Sequence, residues 1–252
     1  MILRRLADAI RQQNWFTVVL EIMIVVIGIF IGLQVDDWNE ARKDRVLEQR
    51  YLERIRADIE KDITLFEFSR ERAAERIAQI RFLEAMTRDP DAAAAEPART
   101  IITLEKASWE SYIRVEPRTF EEMRGAGLST LIRDPGLRDA IAEYYREIAR
   151  WERIVDREAS DEQFSFAAAG LLSGEQLAAI ENHEDTGDPL PGADAATARA
   201  LAAALADTPE ATRWLPQMQH YHILVGKVVT RHLDAAKALT AEIDAALEGD
   251  VP

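Results

Sequence analysis

Four histidines, His183, His220, His222 and His232, are the residues best suited to metal or proton chemistry in this 252-residue chain. Their spacing argues against both. His220 and His222 stand two positions apart, about 200° around a helix, so they cannot close on one ion from one face. His232 falls on an apolar helical stripe, where a satisfied core histidine is the expected occupant. No Glu-x-x-His occurs, which argues against a di-iron bundle. His183 lies among Glu181, Glu184, Asp185 and Asp188 without the alternating aspartates of a calcium loop, and reads as part of a solvated acidic loop. The chain has no cysteine, so disulfides, thiolate ligands and a Cys nucleophile are excluded. Gly125-Ala126-Gly127 is too short to cradle a phosphate and reads as a turn between helices. Trp109, Tyr112, Tyr144, Tyr145, Trp151, Trp214 and Tyr221 can line a ligand pocket or fill a core, and their helical spacing favours the core. The sequence therefore predicts a protein that is not an enzyme, with no metal and no cofactor.

One charged residue is out of place. Residues 15–35 form an apolar run in which Glu21 is the only formal charge. Gly28 and Gly32 make a G-x-x-x-G, the spacing that lets two helix backbones approach closely. They follow Glu21 by seven and eleven residues, offsets that fall within about 20° of one line, and Thr17 lies on the same face. A carboxyl group facing lipid is costly, whereas one facing a partner helix can be hydrogen-bonded or protonated. Thr17, Glu21, Gly28 and Gly32 are thus the expected helix–helix interface, in a homo-oligomer or with another membrane subunit. The alternative is that the glycines are incidental and Glu21 snorkels to the headgroups.

The run is long enough to span a bilayer, which takes about 20 helical residues. Trp15 and Phe16 mark one end and Trp38 the other, at the depth amphipathic rings prefer. The 14 residues before it carry Arg4, Arg5 and Arg11 opposite Leu3, Leu6 and Ile10, and are expected to lie in the interface as an amphipathic tail. Arg42, Lys43, Arg45 and Arg50 follow the span, so the positive charges nearly balance. A short tail with three arginines favours the cytoplasm, so the large domain is expected to face the periplasm or exterior. With 31 Lys+Arg against 45 Asp+Glu the net charge is -14, and such a chain repels nucleic acid.

Beyond the span the pattern is helical throughout. Trp38, Leu52, Ile59, Phe66, Ala73 and Ile80 recur at sevens with no Pro or Gly, so the span should run on into one long helix or restart once near Asp36. Arg45, Asp62, Ser69 and Arg76 interrupt that seam, which favours a bundle over a coiled coil. Further helices are predicted over Thr100–Arg114, from a Thr119–Glu122 capping box to Gly125, and from Asp134-Pro135. The last of these carries the stripe Leu137, Ile141, Tyr144, Ile148, Trp151 and Val155. Ser173–Gln176 is a second capping box, and residues 181–193 read as a loop. A final helix starts at Thr208-Pro209, kinks at Pro216 and buries Tyr221, Val228, His232 and Leu239. The expected fold is all-α. It comprises an interfacial tail at 1–14, a transmembrane helix at 15–35, and an antiparallel bundle at 36–249.

Two blocks resemble a known family. The first comprises Asn14-Trp15-Phe16, Glu21-Ile22, the run Val25 to Gln34 and Asp37-Trp38-Asn39-Glu40. The second comprises Thr119–Glu122, Gly127-Leu128, Leu131-Ile132, Leu137-Arg138 and Tyr144-Tyr145. Together they are similar to an uncharacterised family of bacterial single-span membrane proteins with no assigned activity. The resemblance implies topology and an all-helical domain, not a mechanism. The expected function is that of a membrane-anchored scaffold or accessory subunit, whose partners are the bilayer and either its own copies or another membrane protein. A sensory or ligand-binding bundle is the alternative; fourteen residues before the span are too few for an output domain, so it would signal through a partner.

Overall fold

A computed structural model describes residues 15–112, 114–158 and 161–249. Among them there are helices and no strands. The helices are α1 Trp15–Arg88, α2 Pro90–Ala95, α3 Pro97–Lys106, α4 Arg118–Gly125 and α5 Pro135–Glu158. After these come α6 Asp161–Ala169, α7 Gly174–Thr186, α8 Ala195–Ala206, α9 Pro209–Thr212 and α10 Leu215–Gly249. The expected tail with Arg4, Arg5 and Arg11 lies outside the described residues.

α1 is unbroken for 74 residues, so the apolar run continues into the long helix without restarting at Asp36. No Pro or Gly occurs between Gly32 and its end, and nothing in the sequence can kink it. It stops where Asp89 accepts a hydrogen bond from the Asp91 amide at 3.0 Å and Pro90 opens α2. The chain divides into two compact units at Leu52/Glu53. Every side chain from Val19 to Val46, in the first of them, is exposed.

The second unit holds the core. Its α1 segment and α10 run antiparallel, as Arg56–Asp244, Phe66–His232 and Lys237–Glu67 show. Tyr144 of α5 bonds Asp62 of α1 while Trp151 meets Arg231 of α10, so α5 and α10 are antiparallel too. Ile59, Phe66, Leu137, Ile141, Tyr144, Ile148, Tyr221, Val228, His232 and Leu239 are buried as expected, and so is Leu52 in the first unit. Trp151 is not. It is partly exposed, with the guanidinium groups of Arg150 and Arg231 each 5.5 Å from its ring centre. A separate apolar cluster joins Ile80, Leu83 and Met86 to residues of α3, α6, α8 and α10.

Several helix ends differ from expectation, each for a local reason. α3 stops at Lys106 instead of Arg114, where the Ser108 hydroxyl donates to the Glu105 carbonyl at 3.1 Å and competes with the ladder. Thr119 caps nothing; its hydroxyl donates to Asp58 at 2.6 Å, and α4 begins at Arg118. α7 runs on to Thr186 through part of the expected loop and ends on Gly187, whose φ of 71° suits a residue without Cβ. The final helix expected from Thr208-Pro209 is interrupted at Arg213-Trp214 into α9 and α10, and Pro216 falls in the first turn of α10, where its missing N–H costs nothing. The Asp134 and Ser173 caps form as the sequence predicts.

Candidate functional site

On the first unit the candidate interface is a bare helix face. Glu21, Gly28 and Gly32 are exposed, and a Cβ added at either glycine would meet nothing within 4 Å. The glycines leave a notch two turns along from a carboxyl group in an otherwise apolar run. Trp15, Phe16 and Thr17 are described only as backbone at the start of α1. Trp38 is 66% exposed, and the four cations expected after the span, Arg42, Lys43, Arg45 and Arg50, are exposed around it.

The second unit contains two polar groupings that periodicity did not reveal. In the first, Asp58 and Asp62 sit one turn apart on α1. The Tyr144 hydroxyl donates to Asp62 at 3.0 Å, and Thr119 donates to Asp58 through both its hydroxyl and, at 3.3 Å, its amide. With Lys61, Leu65, Arg114, Glu116 and Arg118 they line a cavity of about 390 Å³. Burial pushes Asp58 up, but the bonds from Thr119 and Lys61 together overcome it and hold the group below its ordinary value. Asp62 is 4% exposed; burial, opposed by Tyr144 and reinforced by Asp58, raises it to about 6.

That shift has a measurable consequence. Folded Asp62 holds its proton up to about pH 6, whereas the unfolded carboxyl releases it near 3.8. Between those values folding takes up a proton, so stability falls as pH rises through the window. Asp62→Asn keeps an acceptor for Tyr144 and removes the titration. Its stability relative to the natural chain should rise by about 2 kcal/mol between pH 4 and pH 7. Urea midpoints of both proteins across that range measure it, and a constant difference would contradict the assignment.

The second grouping is deeper. Arg76 and Lys106 are each 1% exposed and flank Trp109, with Lys106 Nζ 4.7 Å and Arg76 Cζ 5.9 Å from its ring centre. Arg76 donates to Gln79 at 2.9 Å, and Gln79 donates on to Glu75 at 3.0 Å. Nearby, Ser111 Oγ and His222 Nδ1 are 2.9 Å apart. Burial, then the Arg76 charge, lowers His222 to about 4, so its ring is neutral at pH 7. A hydroxyl beside a neutral imidazole is the beginning of a nucleophile–base pair. Both groups are fully buried, however, and no substrate atom can reach Oγ in this conformation. Here the pair acts as a core hydrogen bond. His220, two positions away, is exposed.

His183 belongs to α7, where its Nδ1 lies 2.6 Å from the Asp188 carbonyl oxygen. Among the described residues no three His, Asp or Glu stand together at metal-ligand spacing. What fold and site define is an all-helical protein with one helix long and apolar enough to cross a membrane. No family profile, curated protein or solved structure matches the chain.

Proposed function

We propose that this protein is a non-enzymatic, membrane-anchored helical bundle that acts as a scaffold or accessory subunit. It associates through the face of α1 that carries Glu21, Gly28 and Gly32. The supporting observation is the open notch at the two glycines, on the same line as a carboxyl group in a run whose described side chains, from Val19 onwards, are all exposed. Against lipid such a face wastes packing and exposes a costly polar group; against a second helix it gains both contact and a hydrogen bond. On this reading the apolar run spans the inner membrane of a bacterium, the bundle projects into the periplasm, and the resemblance of the first block to single-span bacterial proteins fits the same topology.

The chain lacks cysteine, so single cysteines introduced into α1 report proximity without background. Oxidative cross-linking in native membranes should join chains carrying Gly28→Cys or Gly32→Cys, to one another or to a second subunit. Val26→Cys and Phe30→Cys, about 200° away, should remain unlinked. Equal cross-linking at all four positions would contradict a defined face.

A further inference from the structure

Past the apolar run the charges on α1 sort by side. Asp36, Asp37, Glu40 and Asp44 fall within an arc of about 100° around the helix. Arg42, Lys43, Arg45 and Arg50 fall in a separate arc of about 160°. All eight are exposed, and none of the four cations has an ion-pair partner among the described residues. A helix face built only for water mixes its signs; this one is wholly basic in a chain of net charge -14. Along it runs a groove of about 450 Å³ lined by Asn39, Arg42, Lys43, Val46, Leu47 and Arg50. Val46, among the cations, is 44% exposed.

The basic side continues the glycine face. Asn39, Val46 and Arg50 stand 18 residues, about five whole turns, beyond Glu21, Gly28 and Gly32 respectively. α1 is unbroken over this stretch, so the notch leads outwards into the basic groove.

Three occupants can be compared. Lipid phosphate reaches only the near end, because helical rise puts Arg42 about 10 Å and Arg50 about 22 Å beyond Val35, against a headgroup layer of about 5 to 8 Å. It also leaves Val46 uncovered. A second copy meeting this face in parallel sets Arg42, Lys43 and Arg50 against themselves. A second copy turned to offer its own acids brings Ile22, Val26, Ile29 and Leu33 towards Glu21, and none of those side chains can hydrogen-bond a carboxyl group. An unlike helix with acids above the bilayer answers the cations, covers Val46 and is free to carry a donor for Glu21.

We propose that the face of α1 carrying Asn39, Arg42, Lys43, Val46 and Arg50 docks an acidic helix of a different membrane protein, rising from the bilayer alongside α1. This rests on the scaffold reading and narrows it to an unlike partner, whose Asp or Glu residues lie just outside its own apolar segment.

Carbodiimide coupling in native membranes tests it. The reagent joins an amine to a carboxylate in direct contact, forming an amide and taking up the water released, and Lys43 is the lysine on this face. Peptide mass spectrometry should find Lys43 joined to an Asp or Glu of a different membrane protein, within about fifteen residues of that protein's apolar segment. Arg42→Glu with Arg50→Glu should cut the yield of this product at least tenfold, whereas Asp37→Lys with Asp44→Lys should leave it within about twofold. All four positions are exposed, so neither variant disturbs the core. Lys43 joined only to residues 36–44 of a second copy, or to no other chain, would overturn the proposal, as would a yield that ignores the charge reversal. If Gly28→Cys and Gly32→Cys still cross-link in that event, the scaffold reading stands and only the acidic partner falls; if they do not, both fall.

Discussion

Gly28→Leu is expected to weaken association of this protein in mild detergent at least tenfold, about 1.4 kcal/mol or more, while leaving the individual chain folded. The separation of the two effects comes from geometry. A Cβ at position 28 meets nothing within 4 Å of its own chain, so the leucine has no intramolecular clash to relieve. Helix propensity favours leucine over glycine by close to 1 kcal/mol, roughly, so α1 itself gains. Any loss must arise where a second helix would have entered the notch. Gly32→Leu should act in the same direction, one turn further along. Phe30→Leu, on the opposite side and 68% exposed, should change little. Sedimentation of the three variants measures this, and an unchanged mass for Gly28→Leu would remove the glycine face from the interface.

Acid is expected to destabilise the bundle through its two buried histidines. Both ionise near pH 4 when folded and near 6.5 when unfolded. Between those values the unfolded chain binds protons that the folded chain refuses, so stability is lost as pH falls from 6.5 towards 4. The shifts correspond to about 3 kcal/mol apiece. Asp62 works the other way, gaining as pH falls below 6, by a comparable amount. Two histidines outweigh one aspartate, leaving a net loss of about 3 to 4 kcal/mol near pH 4, a large part of a domain's stability. Urea midpoints should fall across this window, and His222→Gln should remove most of the slope, because the loss from His232 and the gain from Asp62 then nearly cancel. Stability that holds level from pH 7 to pH 4 would contradict the burial of both rings.

The apolar patterns that built the fold were plain in the chain, because helical periodicity is local. The sevens from Leu52 to Ile80 and the alternating fours and threes of α5 need only a few turns to declare themselves. So do the caps at Asp134 and Ser173, whose partners lie two or three residues away. The polar interior was not legible for the opposite reason. Ser111 and His222 are 111 positions apart, and Asp62 and Tyr144 are 82 apart, so no spacing rule connects them. Asp62, Ser69 and Arg76 read as flaws in the α1 seam, yet all three are buried in the folded chain. Thr119 shows the same limit from the other side. Its position before Glu122 matches a capping box, but Asp58, brought up by the bundle, takes its hydroxyl. Trp151 lies on the predicted stripe and is still partly exposed, with the guanidinium groups of Arg150 and Arg231 beside its ring.

The face of α1 that carries Glu21, Gly28 and Gly32 stands or falls on the native mass of the protein. Gentle extraction from its own membrane, native mass measurement, and identification of every co-purifying chain decide the matter together. A discrete homo-oligomer, or a fixed stoichiometry with another membrane protein, is the expected result, and the partner's identity would then specify what is scaffolded. A lone monomer under conditions that preserve other complexes would contradict association through α1.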